Sequence, residues 1–138
     1  MKELENFSRY LKILKNADFN FANENEIYRM GVLCYFSITF ELACGETGAL
    51  AHALQITKQS ARSLILRALD AGLIKEEDKS VWFQMMQRDV LSSGYFNVYR
   101  YFYYAPDKVY EYLRLIHEQF IDALEALEKT LKEKLEND

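Results

Sequence analysis

The 138-residue sequence has one proline, five glycines, two cysteines and two histidines. Each scarcity excludes something. With one proline and few glycines the chain is not loop-rich or disordered, so long helices are expected. No phosphate-binding glycine loop, no Gly-Ser pair with flanking carboxylates and no nucleophile elbow is present. A self-sufficient nucleotidyltransferase is therefore not expected. His52 and His117 stand apart from any Cys, His and carboxylate grouping of zinc spacing, so no metal or other cofactor is expected, and His117 reads as a surface or boundary residue. Cys34 and Cys44 are ten residues apart on one expected helix, roughly 15 Å of rise, and cannot bridge each other. They read as free thiols of a reducing compartment. A formal net charge of −4 argues against nonspecific attraction to nucleic acid or anionic membrane. The start, Met1-Lys2-Glu3-Leu4-Glu5, lacks a secretion signal's apolar core, and a cytoplasmic location is expected.

What the chain has is apolar residues at helical spacing. Leu4, Phe7, Leu11 and Leu14 share one stripe of a helix over 3–17. Residues 18–23, Asn-rich and aperiodic, read as a connector, with Asn23 or Asn25 capping the next helix. That helix, from about Glu26 to Ala43, carries eleven uncharged residues between Arg29 and Glu41. The run falls short of the ~20 needed to cross a bilayer and reads as a central core helix. A third amphipathic helix begins near Val81, with Trp82 as core. The last, opened by Pro106 and Asp107, carries Val109, Leu113, Ile116, Phe120, Leu124, Leu127, Leu131 and Leu135 on one stripe. Its final turns, Lys129 to Glu136, outrun a small bundle and are expected to project or pair with another chain. One domain is expected over residues 1–138: all-α, an antiparallel up-and-down four-helix bundle with an additional short helix.

Two stretches carry candidate chemistry. Glu41 interrupts an apolar helix, where a lone carboxylate is costly without a partner or a wet cleft. It is either paired with Arg62 or Arg88 or lines a ligand cleft. In the second, Arg88, Ser92 and Tyr95 lie at i, i+4 and i+7 and share a face if the helix persists to Gly94. Ser93 points elsewhere, so joint action with Arg88 needs a broken helix or a second chain.

The segment Trp82, Met85, Met86, Arg88, Asp89, Ser92, Ser93, Tyr95 resembles the helix-end motif Arg-Asn-x-x-Ser-His-x-Tyr of the HEPN superfamily, in particular of the nucleotidyltransferase substrate-binding proteins. Phe36 to Ala43 is similar to that family's Phe-x-Phe-Thr-Tyr-Glu-Leu-Ala segment, and Ala68 to Ile74 to its Ala-x-x-x-Gly-Leu-Ile. The resemblance implies a helical bundle, often a homodimer, that partners a minimal nucleotidyltransferase and completes its cleft for a nucleotide or RNA ligand. It assigns substrate or partner binding to Glu41, Arg88, Asp89, Ser93 and Tyr95, and a modifiable, adenylylated tyrosine to Tyr95, as in toxin-antitoxin pairs of the superfamily. Two positions depart. Asp89 replaces the asparagine and Ser93 the histidine. A serine hydroxyl does not titrate near neutrality and cannot shuttle protons as imidazole does, so the chain is not expected to be an enzyme, and a degenerate HEPN ribonuclease is the alternative.

A second alternative is a helix-turn-helix regulator, with Thr57 capping a recognition helix that exposes Lys58, Gln59 and Arg62. Against it, a charged turn and a helical period follow Ile74 where a winged domain needs a hairpin. Seven of the ten residues from Tyr95 to Tyr104 are aromatic, a run suited to a core or oligomer interface and also able to stack on bases.

Overall fold

The computed structural model describes residues 1–89 and 106–137, and among them there is no strand. The helices are α1 (Lys2–Lys15), α2 (Phe19–Glu24), α3 (Glu26–Cys44), α4 (Ala49–Leu54), α5 (Ala61–Asp70), α6 (Lys79–Arg88), α7 (Pro106–Leu115) and α8 (Ile121–Asn137). A π turn over Ile116–Phe120 joins the last two into one long rod. The fold is an antiparallel, up-and-down four-helix bundle of α1, α3, α6 and the α7–α8 rod. Short helices α2, α4 and α5 fill the connections.

Side-chain pairs set the directions. Tyr10 of α1 meets Tyr35 of α3 at 5.7 Å, and Lys15 reaches Glu125 of α8 at 3.3 Å. Late α1 thus lies beside early α8, while Met1 lies near Leu131 and Leu135. Phe36 of α3 packs on Phe40, on Tyr112 of α7 and on Phe120. Trp82 anchors α6 against Phe40. All four rings and Trp82 are buried, so the aromatics of the apolar core helix bind three rods together.

Polar groups on α3 are accommodated locally. Asn25 caps the helix, its side-chain oxygen accepting from the Tyr28 amide at 2.8 Å, and the Thr39 hydroxyl donates to the Tyr35 carbonyl at 2.6 Å. The uncharged run was expected to be too short, but the helical stretch Glu26–Leu54 is long and apolar enough, by length and composition alone, to cross a bilayer. Its apolar side chains Leu33, Phe36, Phe40 and Leu50 are nevertheless inside the bundle.

One connection differs from expectation. Residues 19–24 form a helix instead of a connector, because the Asp18 carboxylate accepts from the Phe21 amide at 2.9 Å and the Phe19 ring stacks on His117 at 4.2 Å. The last turns of α8 are covered only as far as Leu131, and residues 132–137 are exposed. Leu131 is buried, whereas Leu135, at the edge of the grooves beside Met1, is 41% exposed. The two cysteines are free thiols on α3, as their spacing required.

Candidate functional site

Glu41 lies in the last turn of α3 and is half-buried. The chain closes tightly behind it: the Gly45 amide donates to the Glu41 carbonyl at 2.7 Å. A Cβ on Gly45 would stand 2.5 Å from that carbonyl oxygen and 2.8 Å from Glu41 Oε2. Glycine is required there by close approach and not by φ, which is an ordinary −75°. The carboxylate therefore folds back over the helix end. Among the described residues Glu41 makes no ion pair, and the pairing with Arg62 or Arg88 is not formed. Arg62 instead lies over the Phe83 ring at 5.5 Å, and half-exposure leaves the Glu41 carboxylate to water.

Arg88 is the last residue of α6 and is half-buried. Its guanidinium donates to the Gln84 carbonyl of its own helix at 3.4 Å, and among the described residues it makes no ion pair. Its carbonyl accepts the Tyr112 hydroxyl at 2.6 Å. The helix stops, and Asp89 is extended at φ −70°, ψ 106°. The face expected to join Arg88, Ser92 and Tyr95 is thus interrupted at Asp89. Ser92, Ser93, Tyr95 and the aromatic run lie outside the described residues. Asp89 itself is only 2% exposed.

Cys44 links the two carboxylates. Its Sγ lies 3.6 Å from the Ala61 carbonyl. Burial pushes the thiol far above its ordinary value of 9.0, and the negative charges of Glu41 and Asp89 push the same way. Both carboxylates therefore lie within electrostatic reach of one thiol, although forty-eight positions separate them. The consequence for stability follows from linkage. The folded chain holds this proton more tightly than the unfolded one, so its contribution is complete below about pH 9 and falls above it by about 1.4 kcal/mol per pH unit. Cys44→Ala removes that slope. Denaturant titrations from about pH 8 to about pH 10.5 should show the parent's advantage over Cys44→Ala shrinking as pH rises; a constant difference would mean the thiol ionises equally in both states.

No family model matches the sequence, and no curated protein matches it. Among the described residues no three His, Cys, Asp or Glu side chains gather as a metal site.

The helix-turn-helix elements are arranged differently from expectation. Ser60, not Thr57, caps α5, its hydroxyl accepting from the Ser63 amide at 3.1 Å. Lys58 sits in the turn at φ 57°, and the Gln59 side chain accepts from the Ser63 hydroxyl at 2.7 Å. Lys58 and Gln59 are thus turn residues, and only Arg62 of the three is on the helix. Sequence reasoning also missed a cleft of about 640 Å³ between early α1, α4 and late α8, lined by residues including Glu3, Thr47, His52, Thr57 and Lys134. His52 Nδ1 meets Glu3 Oε2 there at 3.3 Å. No spacing rule joins residues so far apart in sequence, and Glu41, Arg88 and Asp89 are not among its lining.

Proposed function

We propose that this chain is a non-catalytic partner of a minimal nucleotidyltransferase, a bundle of the HEPN nucleotidyltransferase substrate-binding type acting in the cytoplasm. It offers Glu41 and Arg88 to that enzyme or to its substrate, whereas Asp89 is buried and offers no open surface. The observation that carries the reading is the state of Glu41. It is a half-buried carboxylate at the end of the apolar core helix, without an ion pair among the described residues, and it shares the Cys44 neighbourhood with Asp89. A group whose role was only to neutralise a neighbour would be paired. Arg88 supports the same reading, because one carbonyl at 3.4 Å leaves most of its planar donor fork for a phosphate or carboxylate.

On this reading the partner performs the chemistry. Arg88 supplies charge and geometry, Glu41 accepts a donor from the ligand or partner, and Tyr95 is the hydroxyl that a nucleotidyl group modifies. Ser93, in the place of the superfamily's histidine, leaves no proton shuttle for RNA cleavage.

Isothermal titration against a purified minimal nucleotidyltransferase, one carrying the Gly-Ser and paired-Asp signature and encoded beside this chain, tests it. Binding is expected, with Glu41→Gln and Arg88→Ala each weakening it about tenfold or more, at least ~1.4 kcal/mol. Absence of binding by the parent, or variants that bind equally well, would sink the proposal. Incubation with single-stranded RNA separates the ribonuclease alternative: no cleavage is expected, and robust cleavage abolished by Arg88→Ala would favour that alternative instead.

A further inference from the structure

The cleft of about 640 Å³ beside α4 owes its room to small side chains. Gly48, Ala51 and His52, with Gln55 just past the helix end, follow at steps of three and four, so they share the face of α4 that borders it. Gly48, Ala51 and Leu131 are buried. With Ile56 and Leu135 they give the cleft an aliphatic lining, and its volume is that of a site for a small molecule.

Its charged groups divide into engaged and open ones. Glu3 of α1 and His52 of α4 meet each other at 3.3 Å. Glu46 and Lys134 border the same space and are exposed, yet among the described residues neither makes an ion pair, with the other or with any third group. A carboxylate and an ammonium that share one cleft without reaching each other complement a ligand carrying both signs. The backbone supplies a second, independent sign. Gln55 is left-handed at φ 58°, ψ 41°, a conformation that glycine adopts at less cost. Glutamine at this helix stop stores strain, and what it adds over glycine is an amide side chain on a residue that borders the cleft. Strain kept at a binding surface is commonly part of its function.

We infer that this cleft binds a small zwitterion, an ammonium and a carboxylate joined by an aliphatic body. The ammonium pairs with Glu46 and the carboxylate with Lys134, the Gln55 amide hydrogen-bonds a polar end, and the aliphatic part covers Ala51, Ile56 and Leu131. Free α-amino acids and ω-amino acids share this chemistry and differ in the spacing of their charges. The assignment uses neither Glu41 nor Arg88 and stands whether or not the proposed partner enzyme binds.

The test is an NMR titration of the full chain with L-leucine, 6-aminohexanoate, hexanoate and hexylamine, following backbone amide shifts. At least one of the two zwitterions should shift the amides of Thr47, Gln55 and Leu131 saturably and bind about threefold to fivefold tighter than either singly charged analogue. Saturation by L-leucine assigns the ligand to α-amino acids, and saturation by 6-aminohexanoate to ω-amino acids. Glu46→Gln should abolish the preference over hexanoate, and Lys134→Gln the preference over hexylamine. Both positions are exposed, so circular dichroism melts should match the parent. Gln55→Gly should bind more weakly while melting at or above the parent's temperature, a combination that a purely structural glutamine does not give. The inference is overturned if neither zwitterion saturates by about 50 mM, if the shifts fall elsewhere, or if hexanoate or hexylamine binds as tightly. Preferences unchanged in both charge variants, or a Gln55→Gly variant that binds as the parent does, overturn it equally.

Discussion

Phe36→Ala is expected to remove about 3–5 kcal/mol from the unfolding free energy, a large share of what a single domain possesses. Phe36 has no exposed surface. Its ring meets Phe120 at 5.2 Å, Tyr112 at 5.6 Å and Phe40 at 6.2 Å. Truncation leaves a cavity between α3 and the α7–α8 rod, and surrounding rings cannot collapse into it without abandoning each other. The cost combines lost burial with lost edge and tilted ring contacts, about 0.5–1.5 kcal/mol per pair. Urea titration should show the midpoint moving far down at nearly constant slope, and heating should lower the melting temperature by about 10–20 °C. Ile27→Ala, at an 86% exposed position, serves as the contrast and should be nearly neutral in a monomer. Equal effects at the two sites would show that the bundle core does not lie where these rings meet.

Gly45→Ala comes second, with an expected loss of about 1–3 kcal/mol. The added methyl would fall 2.5 Å from the Glu41 carbonyl oxygen and 2.8 Å from its carboxylate. A backbone oxygen held by the 2.7 Å bond to the Gly45 amide cannot step aside without opening the end of α3. The Glu41 carboxylate must leave as well, so the variant should also bind the proposed partner more weakly. Gly31→Ala is the control within the same helix. It meets no neighbour within 4 Å and should gain about 0.5–1 kcal/mol from helix propensity. Paired thermal melts decide the matter: stability unchanged in Gly45→Ala would contradict the close approach that shapes the site.

The α1, α3 and α8 stripes were legible because each repeats apolar residues over many turns, and only one face of such a helix can be buried. Trp82 and the cysteines were legible for similar reasons, periodicity in one case and rise per residue in the other. The end of α6 was not. Nothing local to Gln87, Arg88 and Asp89 reveals that a phenol twenty-four residues later will occupy the Arg88 carbonyl at 2.6 Å. Helix α2 was within reach, since Asp18 is an ordinary capping residue, but its short length hid any period and its stability draws on the Phe19–His117 stack. Glu41 could be marked as anomalous from its apolar surroundings. Its lack of an ion pair, and its sharing of Cys44 with Asp89, depended on how α3 and α6 approach each other.

By itself, then, the order of residues determined that this chain is helical, which faces turn inward, and that its thiols stay apart. Those properties follow from spacing along one rod, where geometry is set by the backbone's own repeat. Only the packing of rod on rod decided where α6 ends, which carboxylates share a neighbourhood and which side chains border one cleft. Contacts between positions dozens of residues apart depend on crossing angles and side-chain volumes, which have no counterpart in a local pattern.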